Sequence, residues 1–275
     1  MNSDITLFQG TAKYYSTYRE GYDELLYAEI IKKCKLSKTS IVLDIGTGTG
    51  TIAHNLASSV QKVFALDPSK EMLNEAKQIA EEKGLENIIF MEDVGEHIDL
   101  YSEFKNIDLV TFGASLHWIQ DIDGIFRKVG HVLKSRGWLV IQFGALVQIW
   151  TKKPEHDWRY DVTNVVKKYL GEDRRAGNGL YKEKTSRKGD SPFEKKLLGH
   201  KELYTNFCRI EIPHTKSWSP EKIIGFLYST SFARKDFFGK DAEGFENDIT
   251  DLFMRRNMSE WEETEIHIAI MAQRT

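Results

Sequence analysis

The ten residues from Ile41 to Gly50, IVLDIGTGTG, constrain this chain more than any other stretch. Ile41-Val42-Leu43 is β-branched and apolar without a polar break. That predicts a strand covered on both faces, since a half-exposed strand would alternate. After Asp44 and Ile45 come glycines at 46, 48 and 50, and Thr51-Ile52-Ala53 opens a helical pattern. Glycines set this closely let the backbone enter conformations closed to residues with a Cβ, and let a ligand come up against the main chain. The N-terminus of the helix presents unpaired N–H groups to that ligand. The expectation is an α/β protein with a nucleoside-type cofactor at the strand-to-helix turn.

Spacing narrows the cofactor. A dinucleotide site reads Gly-x-Gly-x-x-Gly, whereas here the third glycine arrives one residue early and position 51 is Thr. A Walker A loop ends in Gly-Lys-Ser/Thr, and no lysine stands between Asp44 and Lys62. Asp-x-Gly-x-Gly-x-Gly resembles motif I of the class I S-adenosylmethionine-dependent methyltransferases. A glycine-rich turn in an ordinary α/β protein is the plainer account of the same letters.

The next strand, Lys62 to Ser69, carries Asp67 at its end. An acid placed there can accept from both hydroxyls of a ribose. Pro68 stops the strand and Ser69 caps a helix over Lys70 to Lys83, where Met72 packs either on an adenine or in the core. Asn87 to Glu92 is a third strand. In the family that the chain resembles, an acid at this strand end accepts from the adenine amine and the next backbone N–H meets a ring nitrogen. Asp93 and Val94 match those places, with Glu92 as the alternative acid. The resemblance thus implies cofactor contacts from Asp44, Gly46, Thr47, Gly48, Gly50, Asp67, Pro68, Met72, Asp93 and Val94.

Ile107 to Phe112 is the fourth strand. The small residues Gly113, Ala114 and Ser115 after it leave room for a ligand where open α/β sheets bind one. DLVTFGASLHW resembles the same stretch in methyltransferases related to trans-aconitate methyltransferase, which adds Ala114 and Ser115 to the cofactor set and Trp118 to the substrate set. His117 is the candidate general base, an imidazole suited to taking a proton from a nucleophile; packing beside Trp118 is the competing account. A helix over Asp121 to Leu133, a turn at Lys134-Ser135-Arg136-Gly137 and a fifth strand over Trp138 to Leu146 complete five alternations, which predict a doubly wound parallel sheet with right-handed crossovers.

Tyr14, Tyr15, Tyr18 and Tyr22 recur at helical steps in FQGTAKYYSTYREGY. They form either a staple to the core or a lid, with Arg19 positioned to grip a methionyl carboxylate bidentately. Many small-molecule methyltransferases carry a leader similar to F...A..Y..YR..Y, although a proline usually follows the arginine where this chain has Glu20. The resemblance implies that Tyr18 and Arg19 touch the cofactor and Tyr15 the substrate. From 151 to 202 the chain turns polar and basic, a solvated insertion or a cap in which Arg174 and Arg175 attract an anionic acceptor; LGEDRRAGNG is similar to a segment found in the family. Leu203 to His214 alternates as a strand, Ser219-Pro220 opens a helix through Tyr228, Asp241 to Arg256 is helical and Thr264 to Gln273 is a last strand. Tyr228 offers a hydroxyl to the acceptor.

The resemblance implies a mostly parallel seven-stranded sheet of Rossmann-like methyltransferase type, the last strand antiparallel beside the fifth. It divides the chain into a helical lid (1–40), a cofactor-binding core (41–150), a cap insertion (151–202) and C-terminal elements completing the sheet (203–275). The implied reaction moves a methyl group from S-adenosylmethionine to a small molecule, leaving S-adenosylhomocysteine. A non-catalytic cofactor-binding module and an NAD-dependent oxidoreductase are the alternatives. A net charge of −3 and a pI near 6.3 do not point to nucleic acid. The longest apolar stretch, Gly137 to Trp150, is broken by Gln142 and Gln148 and is too short for a bilayer. Cys34 and Cys208 show no metal or disulfide spacing. A cytoplasmic monomer or homodimer without a metal is the expectation.

Overall fold

A computed structural model of the chain describes residues 8–144, 149–150, 157–176, 179–180 and 192–275, without the side chains of 175, 176, 179, 180 and 192. The N-terminal helices are α1 (Ala12–Tyr18) and α2 (Glu24–Cys34). Strands and helices then alternate as β1 (Ile41–Ile45), α3 (Thr51–Ala57), β2 (Lys62–Asp67), α4 (Lys70–Glu82), β3 (Ile88–Glu92), β4 (Ile107–Gly113), α5 (Ile122–Val132) and β5 (Leu133–Phe143). Helix α6 (Trp158–Leu170) precedes a two-residue ladder, β6 (Arg175–Ala176) with β7 (Gly179–Leu180). The chain closes with α7 (Pro192–Leu197), β8 (Tyr204–Trp218), α8 (Pro220–Tyr228), α9 (Lys235–Phe238), α10 (Ala242–Arg255) and β9 (Trp261–Arg274). Among the described residues no helix is long and apolar enough to cross a membrane.

Seven strands form one sheet in the order β3-β2-β1-β4-β5-β9-β8. The pairs among β1 to β5 are parallel, and β9 lies antiparallel to β5 with Trp138 opposite Gln273 and Phe143 opposite Ile268. Alternate side chains of each central strand serve opposite faces. Leu43, Ile45, Val110, Phe112, Leu139 and Ile141 pack with Phe126 and Val129 of α5 on one face. Val42, Leu109 and Val140 pack with Leu26 and Ile30 of α2 and Ile52 and Leu56 of α3 on the other. Burial on both sides is why these strands read as unbroken hydrophobic runs.

The chain forms two compact units, one of Gly21–Ala145, Ser186–His214 and Ile266–Thr275, which holds the sheet, and one of Met1–Glu20, Leu146–Thr185 and Thr215–Glu265. The second is helical, with an aromatic core in which Trp158 and Val162 of α6, Phe226 of α8, and Phe245 and Phe253 of α10 are buried.

Three features differ from the sequence reading. The turn expected at 134–137 runs within β5. Leu133 already pairs with Ile107, and the next match is Trp138 with Leu109, so the extra residues bulge, Arg136 taking φ +63°. Strand β8 continues four residues beyond His214 because Lys216 and Trp218 are buried on one of its faces. Strand β5 ends at Phe143, since Gly144 is no longer strand, short of the expected end at Leu146. The short helices α7 and α9 had no distinct periodicity in the sequence.

Candidate active site

The sheet order reverses between β1 and β4, and in doubly wound sheets a ligand binds beyond the carboxyl ends of the strands at such a reversal. Asp44 sits there, 1% exposed. Its Oδ1 accepts from the Thr111 hydroxyl at 2.7 Å and its Oδ2 from the Thr47 hydroxyl at 2.6 Å. Burial pushes its pKa up to about 6; the nearby Asp67 adds to the rise and the two hydroxyls oppose it.

The glycine loop is fastened to the neighbouring strand. The N–H groups of Gly46 and Thr47 both donate to the carbonyl of Leu66, at 2.7 and 3.0 Å. Gly46 has φ +70°, and a Cβ there would lie 2.4 Å from the Cβ of Ser115, so this glycine closes the loop against the end of β4. Gly48 has φ +56°, and a Cβ there would meet nothing within 4 Å. Main chain is therefore open to a ligand at Gly48 and shut at Gly46. The Gly48 N–H donates to Asp67 Oδ2 at 2.8 Å, and Asp67 Oδ1 accepts from the Ser69 N–H at 2.8 Å. An ionised carboxylate has about four acceptor sites, which leaves Asp67 capacity for two vicinal hydroxyls. Burial raises the Asp67 pKa, against the two backbone bonds.

The remaining predicted residues of this unit border the same strand ends. Pro68 is half-buried, and Met72 is buried in the first turn of α4, its N–H donating to the Ser69 hydroxyl at 3.3 Å. Gly50, at φ +84°, caps the start of α3. Asp93 follows β3 and accepts from the Val94 N–H at 2.8 Å, the His97 ring at 2.7 Å and the Tyr101 hydroxyl at 2.5 Å. Partial burial raises its pKa, but those three bonds outweigh it and the net direction is down. Ala114 takes φ +50°, with its N–H on the carbonyl of Gln142 at 3.0 Å. Ser115 donates to the carbonyl of Ile45 at 2.6 Å. His117 and Trp118 are exposed on a single turn after β4, their rings 4.6 Å apart and tilted by 43°.

The other candidates belong to the helical unit. Arg19 donates from Nε to the Ser229 hydroxyl at 2.9 Å and from a terminal nitrogen to the Ser229 carbonyl at 3.1 Å, and its guanidinium stacks 4.2 Å from the Tyr15 ring centroid. The Tyr18 hydroxyl donates to Glu221 at 3.2 Å. Tyr228 is 1% exposed and donates to Glu246 at 2.9 Å, so its hydroxyl is engaged inside the aromatic core. Arg174 stacks 4.8 Å from the Phe232 ring; the Arg175 side chain lies outside the described residues.

Thr111 and Gln142 escaped the sequence reading. Thr111 stands on the same sheet face as Asp44, and its signal was a lone hydroxyl in IDLVTF. Gln142 is fully buried at the end of β5, and neither polar atom of its side chain has a partner among the described residues. A glutamine inside an aliphatic run was its trace.

A sequence model of the methyltransferase domain matches residues 36–187, more than half of the chain. The chain is similar to an uncharacterized methyltransferase, YcgJ, of Bacillus subtilis, 32% identical over 121 residues that make up 42% of this chain and 47% of that protein. It is also similar to the tRNA 5-carboxymethoxyuridine methyltransferase of Escherichia coli, 34% identical over 107 residues, 37% of this chain and 39% of that one. The chain spans about half the length of the curated relatives it matches. The crystal structure of the YcgJ protein shares the fold at TM-score 0.52 and 18% identity, over 91% of this chain and 98% of that one.

Proposed function

Because that match covers most of its sheet-forming part, the chain belongs to the class I S-adenosylmethionine-dependent methyltransferase family, and we propose that it methylates a small, anionic molecule by direct in-line displacement. S-Adenosylmethionine is the family's cofactor, and when bound it supplies a methyl group on a sulfonium that is already a good leaving group. The observation that carries the reading is the open main chain at Gly48 between two buried carboxylates, Asp44 and Asp67. No lysine or arginine stands in residues 44–50, so the loop suits a neutral ribose and a cationic centre better than a pyrophosphate.

On this reading Asp67 accepts the ribose hydroxyls and Asp93 accepts from the adenine amine. Gly46 to Gly50 shape the main-chain cradle, and Asp44, held by Thr47 and Thr111, keeps negative charge near the methionyl end. The main tasks left to the protein are alignment of donor and acceptor and exclusion of water. His117 is the proposed proton acceptor. Two thiols without a disulfide, Cys34 and Cys208, support a reducing cytoplasm.

Calorimetry with S-adenosylhomocysteine and NAD side by side, followed by incubation with methyl-labelled cofactor and a metabolite extract, tests the proposal. Binding of S-adenosylhomocysteine alone and label in a small molecule are expected. Preference for NAD would remove the reading, and tight binding without any label transfer would favour a non-catalytic module.

A further inference from the structure

From Cys208 onward strand β8 alternates, and its even positions turn inward: Ile210 and Ile212 pack on the sheet core, while Lys216 and Trp218 are buried in the helical unit. A lysine thus occupies a position where the pattern calls for an apolar side chain. Lys216 is 6% exposed, and no hydrogen bond or ion pair to its amine occurs among the described residues. Its amine lies 4.3 Å from the ring centroid of Trp218 and 5.6 Å from that of Phe226, two rings packed edge to face at 5.6 Å. Arg19 approaches the same Phe226 ring, 5.3 Å from its centroid.

A largely buried lysine whose amine meets two ring faces and no hydrogen-bond partner among the described residues is poorly compensated, because ring quadrupoles replace a small part of lost hydration. Burial accordingly lowers its pKa, with Glu20 and Glu265 pulling it up and Arg19 and Lys222 pushing it down. Glu20 and Glu265 beside that amine disfavour a phosphate dianion more than a monoanion. Flat aromatic walls suit a planar group.

We propose that Lys216, with Arg19 and the Trp218–Phe226 corner, forms a subsite for a ligand carboxylate other than the cofactor's. Assigning that carboxylate to the methyl acceptor rests on the methyltransferase reading; carboxylate binding itself does not.

The test is calorimetry on the full chain with butyrate and phenylacetate, each against its amide, with and without saturating S-adenosylhomocysteine. The acids should bind about tenfold or more tighter than the amides, as a charge-assisted bond predicts, and Lys216→Met should erase the preference while leaving amide affinity unchanged. Acid binding that persists with S-adenosylhomocysteine upholds the subsite as the acceptor's, and acid binding that it displaces would assign the carboxylate to the cofactor and overturn the proposal. Equal affinity for acid and amide, or an undiminished preference in the variant, would overturn it. Should Lys216→Met not fold, the wild-type chain decides: the ¹⁵N signal of the Lys216 amine must shift with the acids and stay still with the amides. None of these readouts needs turnover, so failure of the methyltransferase reading would not mimic failure of this one.

Discussion

Asp44 is wholly enclosed, and enclosure favours its neutral form. With its pKa raised from an ordinary 3.8 to about 6, its contribution to stability is fully present below 3.8 and is lost as pH rises through 6, a change of about 3 kcal/mol on the scale of 1.36 kcal/mol per pH unit. Asparagine does not titrate. The unfolding free energy of wild type minus that of Asp44→Asn should therefore fall between pH 4 and pH 7 in urea melts, and a flat difference would show an ordinary carboxyl group. Asp67 has a different task. Asp67→Ala removes the acceptor assigned to the ribose and should weaken S-adenosylhomocysteine binding by about 1–3 kcal/mol, the range for losing one partner of a hydrogen bond to a charged group; unchanged affinity in a titration would return Asp67 to fastening Gly48 and Ser69. His117→Ala should cut turnover with cofactor affinity unaltered, and normal turnover would return the ring to packing beside Trp118.

At the level of elements, the strand–loop–helix unit of β1 and α3 makes a sharper claim than any one side chain. Both Gly46 and Gly48 lie at positive φ, and an L-residue there costs about 1–2 kcal/mol. At Gly46 an added methyl also drives into Ser115, whereas at Gly48 it enters open space. Gly46→Ala should thus lose more stability than Gly48→Ala, while on the proposed reading Gly48→Ala should lose cofactor affinity out of proportion to its stability, its methyl standing in the space assigned to the ligand. Paired urea melts and calorimetry separate the two, and normal binding by Gly48→Ala would mean that the ligand does not use that face. Much of this unit was legible in the letters: the unbroken Ile41 to Leu43, the glycine spacing and the acid ending β2 each encode a local constraint. Long-range contacts were not legible. That Thr111 reaches Asp44 across 67 residues, or that Arg19 meets Ser229 across 210, follows from strand order and helix packing, which periodicity does not carry. The bulge at 134–137 looked like a turn because Gly137 and a polar run mark turns and bulges alike.

For the molecule as a whole, the open question is the size of the acceptor, since one relative is named for a tRNA base and others for RNA. RNA binding would need phosphates neutralised by Lys and Arg, each contributing about −0.7 to −0.9 to the salt dependence of log affinity, and aromatic rings free to stack on bases. The chain has 38 basic against 41 acidic residues. Among the described residues the large rings are buried or half-buried: Trp158, Trp218, Phe245 and Phe253 are each at most 5% exposed, and Trp118 is the exposed exception at 44%. Among the described residues, one exposed ring beside balanced charge is a poor platform for a polynucleotide and a sufficient wall for a small one-sided ligand. Methyl label from the cofactor, offered with total cell extract, should therefore appear in the acid-soluble fraction, and ribonuclease treatment beforehand should leave its yield unchanged. Label in the precipitated fraction that ribonuclease releases would assign the acceptor to RNA, and would require the basic surface that charge balance argues against.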